Sequence, residues 1–567
     1  MERFVTLRLG SRSIRIPAGM RVENIITKQL ALNKDSLVYA DNPVIALRMN
    51  NEILSFGARI SVDSIIEPVR MFSDIGKRMY RHTLSFLLAY ASESLFPDRR
   101  LVIGHSLGDG FYFNFDEQYS LAEEDVDALA IKMRALATAD IPIQQETVSY
   151  CAAVEHFQKK GYLATEMLLS YCNDPTLELY RCGEFLDISY EPLLPTTQLL
   201  DIWELRPYGE RGMLLRYPLS ADFLHLAQFK DNPLLFSIFR EYKLWGKILK
   251  VDCLGAMNSI CGSPEIFTFI RMNEDLQHRK ISKIADMISQ KETVKVVFIA
   301  GPSSSGKTTF SIRLAIQLRL LGFNPIQISL DNYYLPKTEA PLDTEGKPDL
   351  EILEALDLNL FRKNLSSLYA GEEVDLPRFE FKDNGRRYFE GKPINLKENT
   401  ILVIEGIHGL NPDLIPMIDK ETTFKIYISA LTQLNLDDHN RISTTDNRIL
   451  RRIVRDNRTR NTSAQMTLEM WPSVERGETH HIFPFQNQAD VMINSALEYE
   501  LAVLKPYAEP LLKTVKPEAY EAYPTARRLL TFLENVYPIP ADMVPSDSLL
   551  REFIGGSEFH LECRPGN

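Results

Sequence analysis

From Gly301 to Thr309 the chain reads GPSSSGKTT. Gly301-x-x-x-x-Gly306-Lys307-Thr308 is the spacing of a phosphate-binding loop. The glycines let backbone N–H groups curl around phosphate oxygens, and a following helix N-terminus adds partial positive charge. Ser303, Ser304, Ser305 and Thr309 complete the cradle; Lys307 is placed to reach the β- and γ-phosphates, and the Thr308 hydroxyl to ligate Mg²⁺. Two acidic residues end apolar runs further on: Asp331 after PIQISL and Glu405 after ILVI. Glu405 suits holding Mg²⁺, and Asp331 suits taking the proton of an attacking hydroxyl. Arg448, Arg452 and Arg455 recur at i, i+4, i+7, one face of a helix. His480 and His481 match no motif and are expected to line a turn.

These residues need elements to hold them. Val294 and Val296–Ala300 are apolar and largely β-branched, the composition of a buried parallel strand, and FSIRLAIQLRLLG reads as a helix ending at Gly322. PIQIS (325–329), ILVIE (401–405), FKIYIS (424–429) and ADVMINS (489–495) read as further strands. Strands alternating with helices predict a parallel sheet covered on both faces, with Asp331 and Glu405 at strand ends beside the phosphate loop.

Length bounds the rest: 567 residues suggest three or four domains. A net charge of -12 argues against wholesale nucleic-acid wrapping. Six cysteines without a CxxC pair point to reduced thiols. With no apolar leader at its start and no run of membrane-spanning length, the chain is expected to be cytoplasmic, without a membrane partner.

The segment holding GPSSSGKTT, LDNYY, DLPRFEF (375–381), IEGIHGL and RILRRIVRDNRTR (448–460) resembles the uridine kinase and phosphoribulokinase family. The resemblance implies ATP (or GTP) as donor with Mg²⁺, Asp331 as catalytic base, and Phe379 near a nucleoside. It places Tyr333 and Tyr334 beside the acceptor, and Arg452, Arg455 and Arg460 in a lid over the phosphates. Guanidinium forks fit phosphate, and a closed lid excludes water. The family's base-contacting histidine falls at Asn384, its ribose aspartate near Glu354, and a further lid arginine at Thr462.

Residues 1–67 alternate as short strands around one helix, VENIITKQLAL, with turns at Leu9-Gly10-Ser11 and Asn50-Asn51. The pattern predicts a β-grasp module and resembles the TGS domain of threonyl-tRNA synthetases and some GTPases. Residues 68–230, with MYRHTLSFLLAY, LVIGHSLGDGFYFNFD and YRCGEFLDISYEPLLP, are similar to the second additional, or editing, domain of threonyl- and alanyl-type synthetases. That family carries HxxxH and Cys-x-x-x-His. Here only His82 stands; Phe86, Ser189 and Leu193 occupy the other three positions. One of four cannot hold a metal or run editing chemistry, so the domain reads as degenerate, retained for binding.

Residues 231–292 read as a helical connector, with His278 on a solvated face, 293–515 as the kinase unit and 516–567 as a helical extension. The fold class expected is therefore multidomain: β-grasp, an α+β editing-like part, and an α/β P-loop unit. The function expected is transfer of the γ-phosphoryl of ATP to the 5′-hydroxyl of a pyrimidine nucleoside, uridine or cytidine, in salvage. Two alternatives stand beside it: a sugar-phosphate kinase of the phosphoribulokinase type, and a nucleotide-gated regulatory protein contacting tRNA or RNA through residues 1–230. No NKxD motif follows the loop, which disfavours a GTPase switch. Homo-oligomerisation is left open.

Overall fold

The computed structural model describes residues 3–29, 42–116, 121–219, 223–343, 346–380, 385–416 and 419–560. At the N-terminus five strands form one mixed sheet in the order Arg12–Pro17, Phe4–Leu9, Ser64–Arg70, Val44–Met49, Glu52–Leu54. Phe4–Leu9 and Ser64–Arg70 run parallel, the other pairs antiparallel. A short helix, Val22–Asn24, continues as a π-helical turn to Gln29. This is the arrangement the alternating pattern predicts. Gly10 and the Asn50-Asn51 pair take positive φ in its tight turns, as two-residue hairpin loops require.

The next part packs helices Asp74–Leu95 and Glu123–Thr138 against a four-stranded antiparallel sheet, Glu204–Tyr208, Gly212–Arg216, Gly110–Phe115 and Leu101–Leu107. A three-stranded sheet built on Ile143–Ser149 and Thr176–Cys182 lies beside it. Three helices, Pro233–Leu249, Leu254–Cys261 and Ile266–Ser289, then lead to the second half. They are more than a connector. Tyr242 and Gln277 both donate to the Asn494 carbonyl, at 3.0 and 2.8 Å, at the end of the last sheet strand. His278 is exposed, within 3.2 Å of Gln317 on the helix that follows the phosphate loop.

The second half is an α/β unit around a five-stranded parallel sheet. Its order is Asn324–Ser329, Thr400–Glu405, Val296–Ala300, Thr423–Ser429, Val491–Asn494. All five residues of Val296–Ala300 are buried, as a central strand covered on both faces must be. A hairpin, Pro377–Glu380 with Arg386–Phe389, stands off one edge. The extension holds the helix Tyr523–Glu534 and a single turn, Arg551–Ile554. Among the described residues no helix is long and apolar enough to cross a membrane.

The two halves interlock. Loop residues 435–440 enter the synthetase-like part: Thr165 donates its N–H and hydroxyl to Asp438 at 3.0 and 3.1 Å, and Arg100 pairs with the same carboxylate. His439 meets Asp187 at 2.7 Å, and Asn440 donates to the Ile188 carbonyl at 3.1 Å. Phe86 packs edge-on against Phe185, and Leu193 is buried, so two of the positions that the editing family gives to histidines carry core side chains. Ser189 donates to the Glu191 carbonyl at 2.7 Å.

Candidate functional site

The central strand ends at Ala300 and the chain turns at once into the loop. A Cβ on Gly301 would lie 1.9 Å from the Ile428 carbonyl oxygen, so only glycine leaves room for the neighbouring strand. Ser304 and Gly306 both have positive φ, at 59° and 83°. These turns aim successive N–H groups inward, ahead of the helix Lys307–Leu320. The Ser304 and Ser305 hydroxyls are buried with no hydrogen-bond partner among the described residues, while Thr308 faces solvent. Lys307 bends back onto the Gly301 and Pro302 carbonyls, at 3.0 and 3.1 Å. Such a cradle, with a lysine and orphaned hydroxyls, fits the phosphates of a nucleotide.

Glu405 ends the neighbouring strand, where Ser329 donates to it at 2.7 Å. Burial, and then the nearby Asp331, push its carboxyl up to about 7, against the pull of Lys307. Burial conversely pushes Lys307 down, opposed by Glu405, Asp331 and Glu552. Asp331, Glu405 and Lys307 thus share one space at the strand ends. Thr308 and Glu405 could hold one Mg²⁺, which takes few protein ligands when phosphates supply the rest.

The arginine-rich segment forms the helix Thr444–Arg460, and its guanidiniums divide into two sets. Arg448 and Arg451 are buried and brace the loop from behind: Arg448 donates to the Ser303 carbonyl at 2.9 Å, Arg451 to the Ser304 carbonyl at 3.3 Å. Glu478 pairs with Arg448 and accepts from the Ser303 N–H at 3.1 Å. Arg452, Arg455 and Arg460 instead surround Asp456, at 3.2, 2.8 and 3.8 Å. Burial would raise the Asp456 carboxyl, but those three arginines hold it below the usual range. Arg452 also donates to the Ser303 hydroxyl at 2.8 Å, so this helix sits closed on the loop.

On the acceptor side, Tyr334 and Phe379 face each other, ring centroids 6.3 Å apart. Tyr333 does not join them. It is 1% exposed, packs edge-on against Phe361 and accepts from Asn364 at 3.2 Å, so the expectation that it binds substrate gives way to a core role. Glu354 likewise points outward and is exposed. Three residues earlier, ahead of the 3-10 turn Leu353–Ala355, Glu351 faces in; burial lifts it to about 7, with Arg452 and Lys307 close enough to oppose the rise. Asn384 lies outside the described residues. His480 and His481 close the helix Ala464–His481 and do not line a turn; His480 contacts the Arg476 carbonyl at 2.7 Å, an ordinary last-turn contact.

Sequence reading missed Asp456, Glu478, Glu351 and Glu552. Asp456 was legible within RDNRTR, as the acid centred among arginines at i−4, i−1 and i+4. Glu552 carried no signal. It comes from the extension, 243 residues after Thr309, and accepts from the Thr309 N–H at 3.2 Å and hydroxyl at 2.9 Å. Arg458 holds that turn by the Glu552 and Phe553 carbonyls, at 2.9 and 3.3 Å.

Over 158 residues the chain is 30% identical to the threonine–tRNA ligase of Carboxydothermus hydrogenoformans, 28% of this chain and 25% of that one. Over 148 residues it is 35% identical to the enzyme of Bordetella pertussis, 26% and 23% of the two chains. It thus spans about a quarter of the length of the curated relatives it matches. Among solved structures, D-glycerate 3-kinase from Cryptococcus neoformans aligns with a TM-score of 0.23 and 14% identity, over 48% of this chain and 88% of that one. Residues 296–502 match the Phosphoribulokinase / Uridine kinase family, so the chain joins a P-loop kinase unit of that family to an N-terminal region similar to threonine–tRNA ligase.

Proposed function

We propose that the protein transfers the γ-phosphoryl of ATP to the 5′-hydroxyl of a pyrimidine nucleoside. The observation that carries the reading is the grouping of Asp331, Glu405 and Lys307 at the strand ends, under a closed row of arginines. Asp331 accepts the proton of the acceptor hydroxyl as it attacks. Lys307 and the loop amides hold the β- and γ-phosphates, and Arg452, Arg455 and Arg460 face the charge spread over the transferred group. Mg²⁺, when bound through Thr308 and Glu405, neutralises part of that charge. Positioning and preorganised charge supply most of the acceleration. Tyr334 and Phe379 offer aromatic walls, better suited to a nucleobase than to a sugar phosphate.

The test is phosphoryl transfer from labelled ATP by the full chain across uridine, cytidine, purine nucleosides and ribulose 5-phosphate. Turnover of pyrimidine nucleosides is expected, falling at least ~100-fold in Asp331→Asn with ATP binding retained. Preference for ribulose 5-phosphate would move the reading to a sugar-phosphate kinase. An Asp331→Asn rate equal to the native one would remove Asp331 as base.

A further inference from the structure

A cavity of about 760 Å³ lies where the synthetase-like part, the kinase unit and the extension meet. Ligand sites span roughly 300–1,000 Å³ and favour domain junctions. It adjoins the cleft of Asp187 and Ser189, of which the His439 loop leaves about 20 Å³; His82, Phe111, Asn440 and Arg441 line both spaces.

Its charges are unevenly committed. Arg528 binds Asp446 through two hydrogen bonds, at 2.5 and 2.7 Å, and shares Glu191 with Arg78, at 3.4 and 3.2 Å. Arg448 is paired with Glu478. Arg81 and Arg441 have no ion-pair partner among the described residues; each lies over a ring, Tyr217 at 5.2 Å and Phe111 at 5.4 Å. The remaining carboxylates are weak competitors. Asp74 is 97% exposed and lies 3.9 Å from Lys77, and Glu521 is exposed. Burial and Glu478 push Glu475 up, against Arg448 and Arg81.

Polar groups on the same walls are also unsatisfied. His105 and Trp471 are each 5% exposed, yet among the described residues His105 Nδ1 and Trp471 Nε1 have no hydrogen-bond partner, nor does Thr444 Oγ1 at the start of the arginine-rich helix. Burial, reinforced by Arg441, holds the His105 imidazole neutral. Two uncommitted guanidiniums, a helix N-terminus and an indole with a spare N–H together suit a phosphate joined to a flat heterocycle.

We propose that this cavity is a second nucleotide site, separate from the phosphate loop, taking a nucleoside phosphate with its phosphate on Arg81 and Arg441 and its base beside Trp471. The occupant adjoins Arg448, whose guanidinium holds the Ser303 carbonyl. It therefore touches a brace of the loop without entering the loop.

Trp471 supplies the readout. Trp203→Phe/Trp245→Phe leaves it as the sole tryptophan, and Lys307→Ala disables the loop in the same full-length chain. UMP, AMP and a single-stranded RNA dodecamer are titrated separately against Trp471 fluorescence. Saturable quenching that survives Lys307→Ala and weakens at least tenfold in Arg441→Gln and in Arg81→Gln is expected. Arg441→Lys, which keeps the charge, should recover part of the affinity and guards against a folding defect. Quenching by a mononucleotide supports the site with a free metabolite as source; quenching by the RNA alone supports it with a strand end as source. No quenching by any of the three, loss of quenching with Lys307→Ala alone, or indifference to both arginine changes would overturn the proposal.

Discussion

Gly301 is where a single atom decides whether the loop can exist. Any side chain there meets the Ile428 carbonyl of the adjacent parallel strand, a rigid backbone atom with no rotamer to yield. Gly301→Ala should therefore cost about 1–3 kcal/mol of stability and loosen the loop's first turn. Urea denaturation and ATP binding measured on the same preparation check this: both should fall, and native-like values for both would show that the strands can part. Tyr333 and Glu354 make the complementary point. A motif read along the chain names residue types near a site, but side-chain direction depends on local backbone. The turn Leu330–Tyr333 is 3-10, and it sends Tyr333 into the core while Asp331 stays at the strand ends.

The arginine-rich helix shows what a periodic pattern can and cannot convey. Its spacing announced a basic face, yet Arg448 and Arg451 are internal braces, and Arg452, Arg455 and Arg460 are held by a shared acid. Asp456 is thus a positioning residue. In Asp456→Asn the three guanidiniums lose their common anchor while the volume is kept. Turnover should fall at least ~10-fold, mostly in kcat, with the thermal transition lowered by only a few degrees; an unchanged kcat would show that the arginines need no such anchor. Elements were legible because their local signals agree. All five parallel strands lie within a residue or two of their apolar runs, the loop helix starts three residues before its own, and Glu405 ends its strand as expected. The braces were illegible because each joins segments distant in sequence, such as Glu478 to Ser303.

At the scale of the whole molecule, the synthetase-like part and the kinase unit are fastened by a buried ion pair. Burial alone would lower the His439 imidazole, but Asp187, with Asp438 and Asp437, outweighs it and holds the group at about 9, above its ordinary 6.5. A raised imidazole contributes its full stability below pH 6.5 and loses it as pH climbs through 9. Asp437, lifted to about 7 by burial and then Asp187, weakens in the same direction. The thermal transition of the full chain should fall between pH 6.5 and 9, by roughly 1–3 kcal/mol of stability, and His439→Gln should flatten that limb. A slope identical in the variant would place the titration elsewhere. Nothing in the sequence announced this clamp, because NLDDHN reads as an ordinary polar loop until the fold delivers Asp187 to it. Glu552 acts over a similar distance. A helix N-terminus attracts anions, and here a carboxylate of the chain itself already occupies the Thr309 end of the cradle. Nucleotide binding at that end is then an exchange of one anion for another, and the measured affinity is a difference between two. Glu552→Gln weakens the incumbent, so the apparent Kd for ATP should drop several-fold in a direct titration, whereas a weaker or unchanged Kd would make Glu552 a fixture of the site. On this arithmetic, the turn Arg551–Ile554 is a tenant of the cradle, and filling the loop should displace its carboxylate from Thr309.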